Sequence, residues 1–154
     1  MGLALNHFSV RTVDLAASRR FYEEVLGLVA GPRPDFPFPG HWMYQGDLGN
    51  PAHAVVHLIG LDAQAPAGLA GYLGARDAGT LRGSGAVDHI AFFADGLAAM
   101  RRHLAGLGIA CRERSVPGLG LHQLFLDDPD GIVIELNYPA AEAAAAGAAA
   151  LAPT

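Results

Sequence analysis

The sequence predicts an α+β fold assembled from two copies of one βαβββ module, and three observations predict it. The first is an internal echo, the signal to look for before any other. With His89 set on His7, Leu5-Asn6-His7-Phe8-Ser9-Val10 lies on Val87-Asp88-His89-Ile90-Ala91-Phe92, and at the same offset Leu15–Arg20 lies on Leu97–Arg102. Gly27-Leu28 meets Gly108-Ile109 with one residue of slippage, and Val55–Ile59 meets Val133–Asn137. The second is the order of patterns within each copy: an alternating stretch, a stretch with helical spacing, then short strands parted by turn residues. The third is size and composition. A chain of 154 residues, 51% hydrophobic and 16% charged, has a globular make-up and is long enough for a core without staples.

The elements follow in order. Residues 3–12 alternate loosely and read as a first strand, with His7, Ser9 and Arg11 on one face. Asp14 is a good N-cap. Leu15, Ser18, Phe21/Tyr22 and Val25/Leu26 form a helical stripe, and Gly27 ends it. Leu28–Gly31 is a short strand. The run from Pro32 to Gly40 carries four prolines, which forbid a helix and a central strand. His41–Gly46 and Ala54–Gly60 read as strands joined by a turn at Asp47–Pro51. Residues 61–85, rich in Ala, Gly and Pro, read as a linker in which Ala67–Leu73 forms a short helix.

The second module repeats the order. A strand is expected over 86–94, a helix over 97–106 capped by Asp95, and strands over 109–115, 120–127 and 132–138. Asp127-Asp128-Pro129-Asp130-Gly131 is a strong turn signal before the last strand. The chain is thus one domain with module 1 at about 3–60, a linker at 61–85, module 2 at about 86–138 and an Ala-rich tail at 139–154.

Bulk properties exclude several functions. A net charge of -5 argues against nucleic acid and anionic membrane as partners. All ten basic residues are arginines, so a Schiff-base lysine has no candidate. The single cysteine, Cys111, is expected to be a small hydrophobe in a strand and suits a reducing cytoplasm. No apolar run reaches membrane-spanning length, and the N-terminus lacks a signal-peptide pattern. A cytoplasmic protein acting on a small molecule is the expectation.

Each module opens with a potential metal ligand and closes with another: His7 and His57 in the first, His89 and Glu135 in the second. Residues 7 and 57 are 50 apart and residues 89 and 135 are 46 apart, as expected for equivalent strands with unequal loops. Two imidazoles and a carboxylate are the usual equipment of a catalytic divalent metal with open positions. Any one of these histidines alone is better read as an ordinary hydrogen-bonded residue; three histidines and a glutamate at four repeat-equivalent places are not.

On these residues the chain resembles the vicinal-oxygen-chelate superfamily, which includes glyoxalase I, methylmalonyl-CoA epimerase, fosfomycin-resistance enzymes, bleomycin-resistance proteins and extradiol dioxygenases. The resemblance covers Leu5 to Asn137. It rests on His7 before Val13-Asp14-Leu15 with Phe21-Tyr22 and Leu26-Gly27-Leu28, on Val87-Asp88-His89-Ile90-Ala91, and on Asp128-Pro129-Asp130-Gly131 before Ile134-Glu135-Leu136. It implies two paired modules whose eight strands curl into an incompletely closed barrel around a metal, often in a homodimer. It also implies His7, His89 and Glu135 as metal ligands, with Fe2+ favoured and Mn2+, Ni2+, Co2+ or Zn2+ admissible on the same donors.

His57 discriminates among members. In glyoxalase I and the epimerase this position resembles a fourth ligand, Glu or Gln; in extradiol dioxygenases it resembles a histidine that is an acid–base catalyst and not a ligand. The resemblance therefore implies an extradiol-type dioxygenase first, with His57 moving protons of a catechol-like diol. A glyoxalase- or epimerase-type lyase or isomerase, with His57 as fourth ligand, is the alternative. Phe125 stands where the dioxygenases carry a tyrosine, and Leu61 stands where glyoxalase I has a glutathione-binding Asn. Arg11, four residues after His7, resembles the arginine that holds the glutathione carboxylate and suits any anionic substrate. Ser9 matches a hydroxyl shared by fosfomycin enzymes, whose serine-rich loop has no counterpart in Val116–Gly120. Gln123 and Phe125 share a strand face that the comparison points inward beside Glu135, as pocket lining. Metal-free drug binding, as in bleomycin-resistance proteins, is a third reading, disfavoured by retention of the ligand set.

Overall fold

The computed structural model describes residues 5–85 and 87–150. They form two compact units, Met1–Arg82 and Gly83–Thr154, so residues 61–82, expected as a linker, belong to the first unit. Each unit carries one four-stranded mixed sheet with helices on it, an α+β architecture.

In the first unit β1 (Phe8–Thr12), β2 (Val29–Gly31), β3 (Gly40–Tyr44) and β4 (Ala54–Gly60) lie in the order β1-β4-β3-β2. β1 runs parallel to β4, and the other pairs are antiparallel. In the second unit β5 (Ile90–Phe93), β6 (Arg112–Val116), β7 (Leu121–Asp127) and β8 (Val133–Pro139) lie in the order β5-β8-β7-β6, again with the first and last strands parallel. The duplication read in the sequence is therefore a duplication of topology. Of the expected first strands, residues 3, 4 and 86 lie outside the described residues. Both strands start later than expected: pairing begins at Phe8 and Ile90, leaving His7 and His89 one residue ahead of their strands.

Local chemistry accounts for the helices. α1 (Leu15–Arg20, continued by a wider turn over Phe21–Val25) begins where the Asp14 carboxylate accepts the Ala17 N–H at 2.9 Å. The buried Thr12 and Ser18 hydroxyls share a 2.7 Å hydrogen bond beneath this entry. Gly27 then turns the chain at φ +69°, a conformation that favours glycine. α3 (Leu97–Leu107) departs from expectation. Asp95 does not cap it; Gly96 holds the N-cap position at φ +75°, and the first helical N–H, of Leu97, is taken by Glu142 Oε2 at 2.7 Å. That acceptor comes from α4 (Ala140–Ala150), which lies within the Ala-rich tail. A tertiary partner has replaced the local cap, which sequence spacing cannot reveal. Cys111 lies half-buried just ahead of β6 rather than within a strand.

In β1 Val10 and Thr12 are buried while Ser9 is exposed. Tyr22, Met43, Tyr44 and Val56 fill the core of the first unit and Leu97, Leu104, Ile134 and Tyr138 that of the second, each large apolar side chain contributing roughly 1.5–3 kcal/mol. α2 (Pro66–Leu73) seats Leu69 against Phe38 and Ile59. Gly68 permits this approach: a Cβ there would stand 1.9 Å from the Pro37 carbonyl oxygen. Among the described residues no helix is long and apolar enough to cross a membrane.

Candidate metal centre and active site

In the second unit the site is built around Glu135. Its position on β8 pairs with Ala91 of β5 on one side and Phe125 of β7 on the other. The side chain is buried, and a buried carboxylate needs partners for its charge. Oε1 accepts from Gln123 Nε2 at 2.9 Å and from Asn137 Nδ2 at 2.7 Å. Gln123 Nε2 also donates to Asn137 Oδ1 at 2.8 Å, while Gln123 Oε1 accepts from Arg114 Nε at 2.6 Å. Both N–H bonds of Gln123 are thus engaged, one by Glu135 and the other by Asn137. Oε2 of Glu135 is left facing His89 Nε2 at 3.3 Å.

His89 is oriented from behind. Its Nδ1 stands 2.8 Å from Asp88 Oδ1, leaving Nε2 directed at Glu135. Phe125 meets the His89 ring edge to face at 6.2 Å, and the guanidinium groups of Arg114 and Arg112 lie 4.9 and 5.6 Å from the Phe125 ring. His122 faces the other side of β7, where Glu113 and Ser115 each hold it at 2.9 Å; it is a buried structural residue, as its alternation with Gln123 predicts.

The first unit presents a matching arrangement. His57 on β4 pairs with Ser9 of β1 and Trp42 of β3, so Ser9, His57 and Trp42 occupy the register that Ala91, Glu135 and Phe125 occupy in the second unit. The His57 ring is sandwiched: His7 stacks on it at 3.8 Å and 17°, Trp42 at 4.2 Å and 9°. Burial, then the neighbouring His7, push the His57 imidazole down to about 4, against a backbone hydrogen bond at Ala54 that opposes the shift. The ring is neutral at neutral pH and keeps a lone pair. His7 hydrogen-bonds Asn6 Oδ1 through Nδ1, as His89 uses Asp88, so both histidines are held by the residue before them.

Arg11 donates from its two terminal nitrogens to the carbonyl oxygens of Gly74 and Leu73, at 2.9 Å each. Three of its five N–H bonds remain. Among the described residues no group of three His, Cys, Asp or Glu side chains is gathered as a metal cluster; each unit supplies a pair, His7 with His57 and His89 with Glu135.

The sequence pattern assigns no role to Asn6, Asp88, Asn137 or Arg114, and a tryptophan within a strand, as Trp42 is, reads as core. Repeat equivalence was the available signal for Asn6 and Asp88, since the polar residue before each histidine recurs. Asn137, two residues past Glu135, was legible as a same-face neighbour.

Comparison with known proteins agrees with this duplicated fold. The chain is 27% identical over 136 residues to Glyoxylase I 4 of Arabidopsis thaliana, covering 86% of this chain and 69% of that protein. Its fold is shared with a lactoylglutathione lyase from Agrobacterium tumefaciens, at TM-score 0.62 and 19% identity over 92% of this chain and 97% of that one. It is shared too with the fosfomycin resistance protein FosX from Listeria monocytogenes, at TM-score 0.57 and 15% identity over 90% and 94% of the two chains. A family model matches residues 4–136, which take in both modules and all four repeat-equivalent residues, and the chain belongs to the Glyoxalase/Bleomycin resistance protein/Dioxygenase superfamily.

Proposed function

We propose that this protein is a divalent-metal-dependent enzyme acting on a small substrate that presents two adjacent oxygens. His7, His89 and Glu135 are the proposed ligands, and His57 is the group that moves a proton. The observation that carries this reading is the Glu135 carboxylate, buried with one oxygen doubly hydrogen-bonded and the other left open toward His89 Nε2. Desolvating a carboxylate costs several kcal/mol, and an arrangement that then leaves one oxygen open is suited to a cation.

The donors fit a first-row divalent ion. Each imidazole has Nδ1 occupied by Asn6 or Asp88 and Nε2 left over, the tautomer a metal requires. When bound, such an ion polarises substrate oxygens and stabilises negative charge developing on them. The chain's own residues do the rest. His57 accepts and returns a proton at its free ring nitrogen, while His7 and Trp42 hold the plane of its ring. Ser9, exposed beside His57, offers a hydroxyl to the substrate, and Phe125 gives an apolar wall by His89.

Within this class, extradiol-type cleavage of a catechol-like diol with Fe2+ remains the leading chemistry. Parallel rings 3.8 Å apart do not aim two lone pairs at one point, which supports His57 as an acid–base beside the ion. The second reading is a glyoxalase-type lyase or isomerase with His57 as fourth ligand, favoured by the 27% identity to Glyoxylase I 4. A homodimer is the assembly proposed with either.

The test is metal content of anaerobically purified protein, wild type against Glu135→Ala. About one ion per chain, lost in the variant while the far-UV spectrum is retained, is the expected result. Iron with catechol-dependent oxygen uptake supports ring cleavage; nickel, cobalt or zinc with hemithioacetal turnover supports the second reading. Wild-type protein that takes up no metal on reconstitution overturns both and leaves a binding protein.

A further inference from the structure

We propose that Arg114 is a positioning residue for Glu135, acting through the side-chain amide of Gln123; its effect on a bound ion rests on the proposed metal site. Arg114 of β6 pairs with Gln123 of β7, and Gln123 pairs with Asn137 of β8. Residues paired in this way share one face of the sheet, and Glu135, two residues before Asn137, lies on that face too. The four side chains form a row from solvent to core: Arg114 is exposed, while Gln123, Asn137 and Glu135 are buried. Arg114 Nε donates to Gln123 Oε1 at 2.6 Å, and Gln123 Nε2 donates to Glu135 Oε1 at 2.9 Å and to Asn137 Oδ1 at 2.8 Å. Asn137 Nδ2 in turn donates to Glu135 Oε1, so every bond in the row leads toward the carboxylate.

The direction of the row is what Arg114 supplies. A glutamine amide has donors at one end and an acceptor at the other. Turned over, the Gln123 amide would set its oxygen against Glu135 Oε1 and Asn137 Oδ1, acceptor against acceptor in a buried place. A guanidinium has no acceptor, so Arg114 admits only the Gln123 oxygen and leaves both Nε2 hydrogens for the core. The bond is charge-assisted, roughly twice as strong as a neutral one, and hydrogen bonds aligned in series polarise one another. An exposed cation thereby strengthens a donor that occupies Glu135 Oε1, and so keeps Oε2 as the open oxygen facing His89. Ring contact does not set Arg114 apart. Its guanidinium lies 4.9 Å from the centroid of the Phe125 ring, and Arg112, paired with Phe125 itself, lies 5.6 Å from the same centroid. Arg112 therefore carries the same charge and a similar ring contact without a place in the row.

The test compares Arg114→Met, which keeps an apolar chain over Phe125, with Arg112→Met, both in the full chain. In the metal-free protein the Nε2 protons of Gln123, identified in the NMR spectrum by their absence in Gln123→Leu, should give two protected signals. Arg114→Met should shift them and speed their exchange with water, and Arg112→Met should leave them in place. With Co2+ as the probe ion, Arg114→Met should weaken binding in a chelator competition by about tenfold, the lower end of what the partners of metal ligands contribute. It should also change the visible absorption of the bound ion. Arg112→Met should stay within about twofold, the scatter of uncoupled sites. In a Gln123→Leu background Arg114→Met should cost nothing further, because the relay is already cut. Gln123 signals indifferent to Arg114→Met, equal losses from the two arginine variants, or an undiminished loss in the Gln123→Leu background would each overturn the proposal. Wild type that takes up no Co2+ while the Gln123 signals respond to Arg114→Met overturns the metal site and supports the relay.

Discussion

At the scale of single residues, Glu135 shows how a side chain becomes committed to one task. Gln123 and Asn137 occupy the same oxygen of its carboxylate, so the carboxyl plane is set and the second oxygen is left in a known direction. Partners of this kind typically change metal affinity by about 10–100-fold when removed. Gln123→Leu, similar in volume, is therefore expected to weaken metal binding by about that factor in a chelator competition while the chain stays folded. An unchanged affinity would assign Gln123 to packing alone. The four repeat-equivalent residues were legible in the sequence because imidazole and carboxylate are rare at matched places in, or just ahead of, apolar strands. Trp42 was not, since a tryptophan in a strand reads as core whether or not a histidine ring lies on it, and here one does at 4.2 Å. The reading of Gln123 as pocket lining placed it on the proper face, beside Glu135, but hydrogen-bond partners are three-dimensional and the alternation of a strand says nothing about them.

At the scale of elements, spacing and cap chemistry located nearly all strands and helices, and misread the places where a distant element supplies the partner. The cap of α3 from Glu142 is one such place; the seating of α2 is another. Gly68 lies against the Pro37 carbonyl oxygen with no room for a Cβ, so Gly68→Ala must push α2 off the Pro-rich loop. Overpacking of this kind costs about 1–3 kcal/mol, and the melting temperature of the variant should fall; an unchanged value would show that α2 is not held there. A second link joins helix to sheet, with Arg101 of α3 and His122 of β7 both on Glu113 of β6. The Arg101 hydrogen bond holds the Glu113 carboxyl below its ordinary 4.5, helped by His122 and opposed by burial. A lowered carboxyl stabilises the fold above its ordinary value, and that stabilisation is lost as pH falls through the folded value. Because the pair is partly solvated the effect is small. The melting-temperature advantage of wild type over Glu113→Gln should be present at pH 7 and shrink below about pH 4.5; a difference that persists at pH 3 would assign it to something other than this charge.

At the scale of the whole molecule, the duplication explains why so much was legible. Two copies of one pattern corroborate each other, and the match extends to strand register, where Ser9, His57 and Trp42 correspond to Ala91, Glu135 and Phe125. The copies have diverged chemically. One offers a pair of imidazoles, the other an imidazole and a buried carboxylate, and neither pair alone has the three ligands a catalytic divalent site usually carries. The proposed ligand set therefore makes the two modules interdependent, and that dependence is measurable without any substrate. An ion bound only by the folded chain, at 100 times its dissociation constant, stabilises by about 2.7 kcal/mol, or about 5–10 °C for a chain of this size. The wild type should show that rise on adding metal, and His7→Ala in the first module should lose it as fully as His89→Ala in the second. His57→Ala should keep most of the rise if His57 is an acid–base and lose a large part if it is a fourth ligand. Should His7→Ala retain the full rise while His89→Ala loses it, the ion is held by the second module alone, and the first has kept its histidines for another purpose.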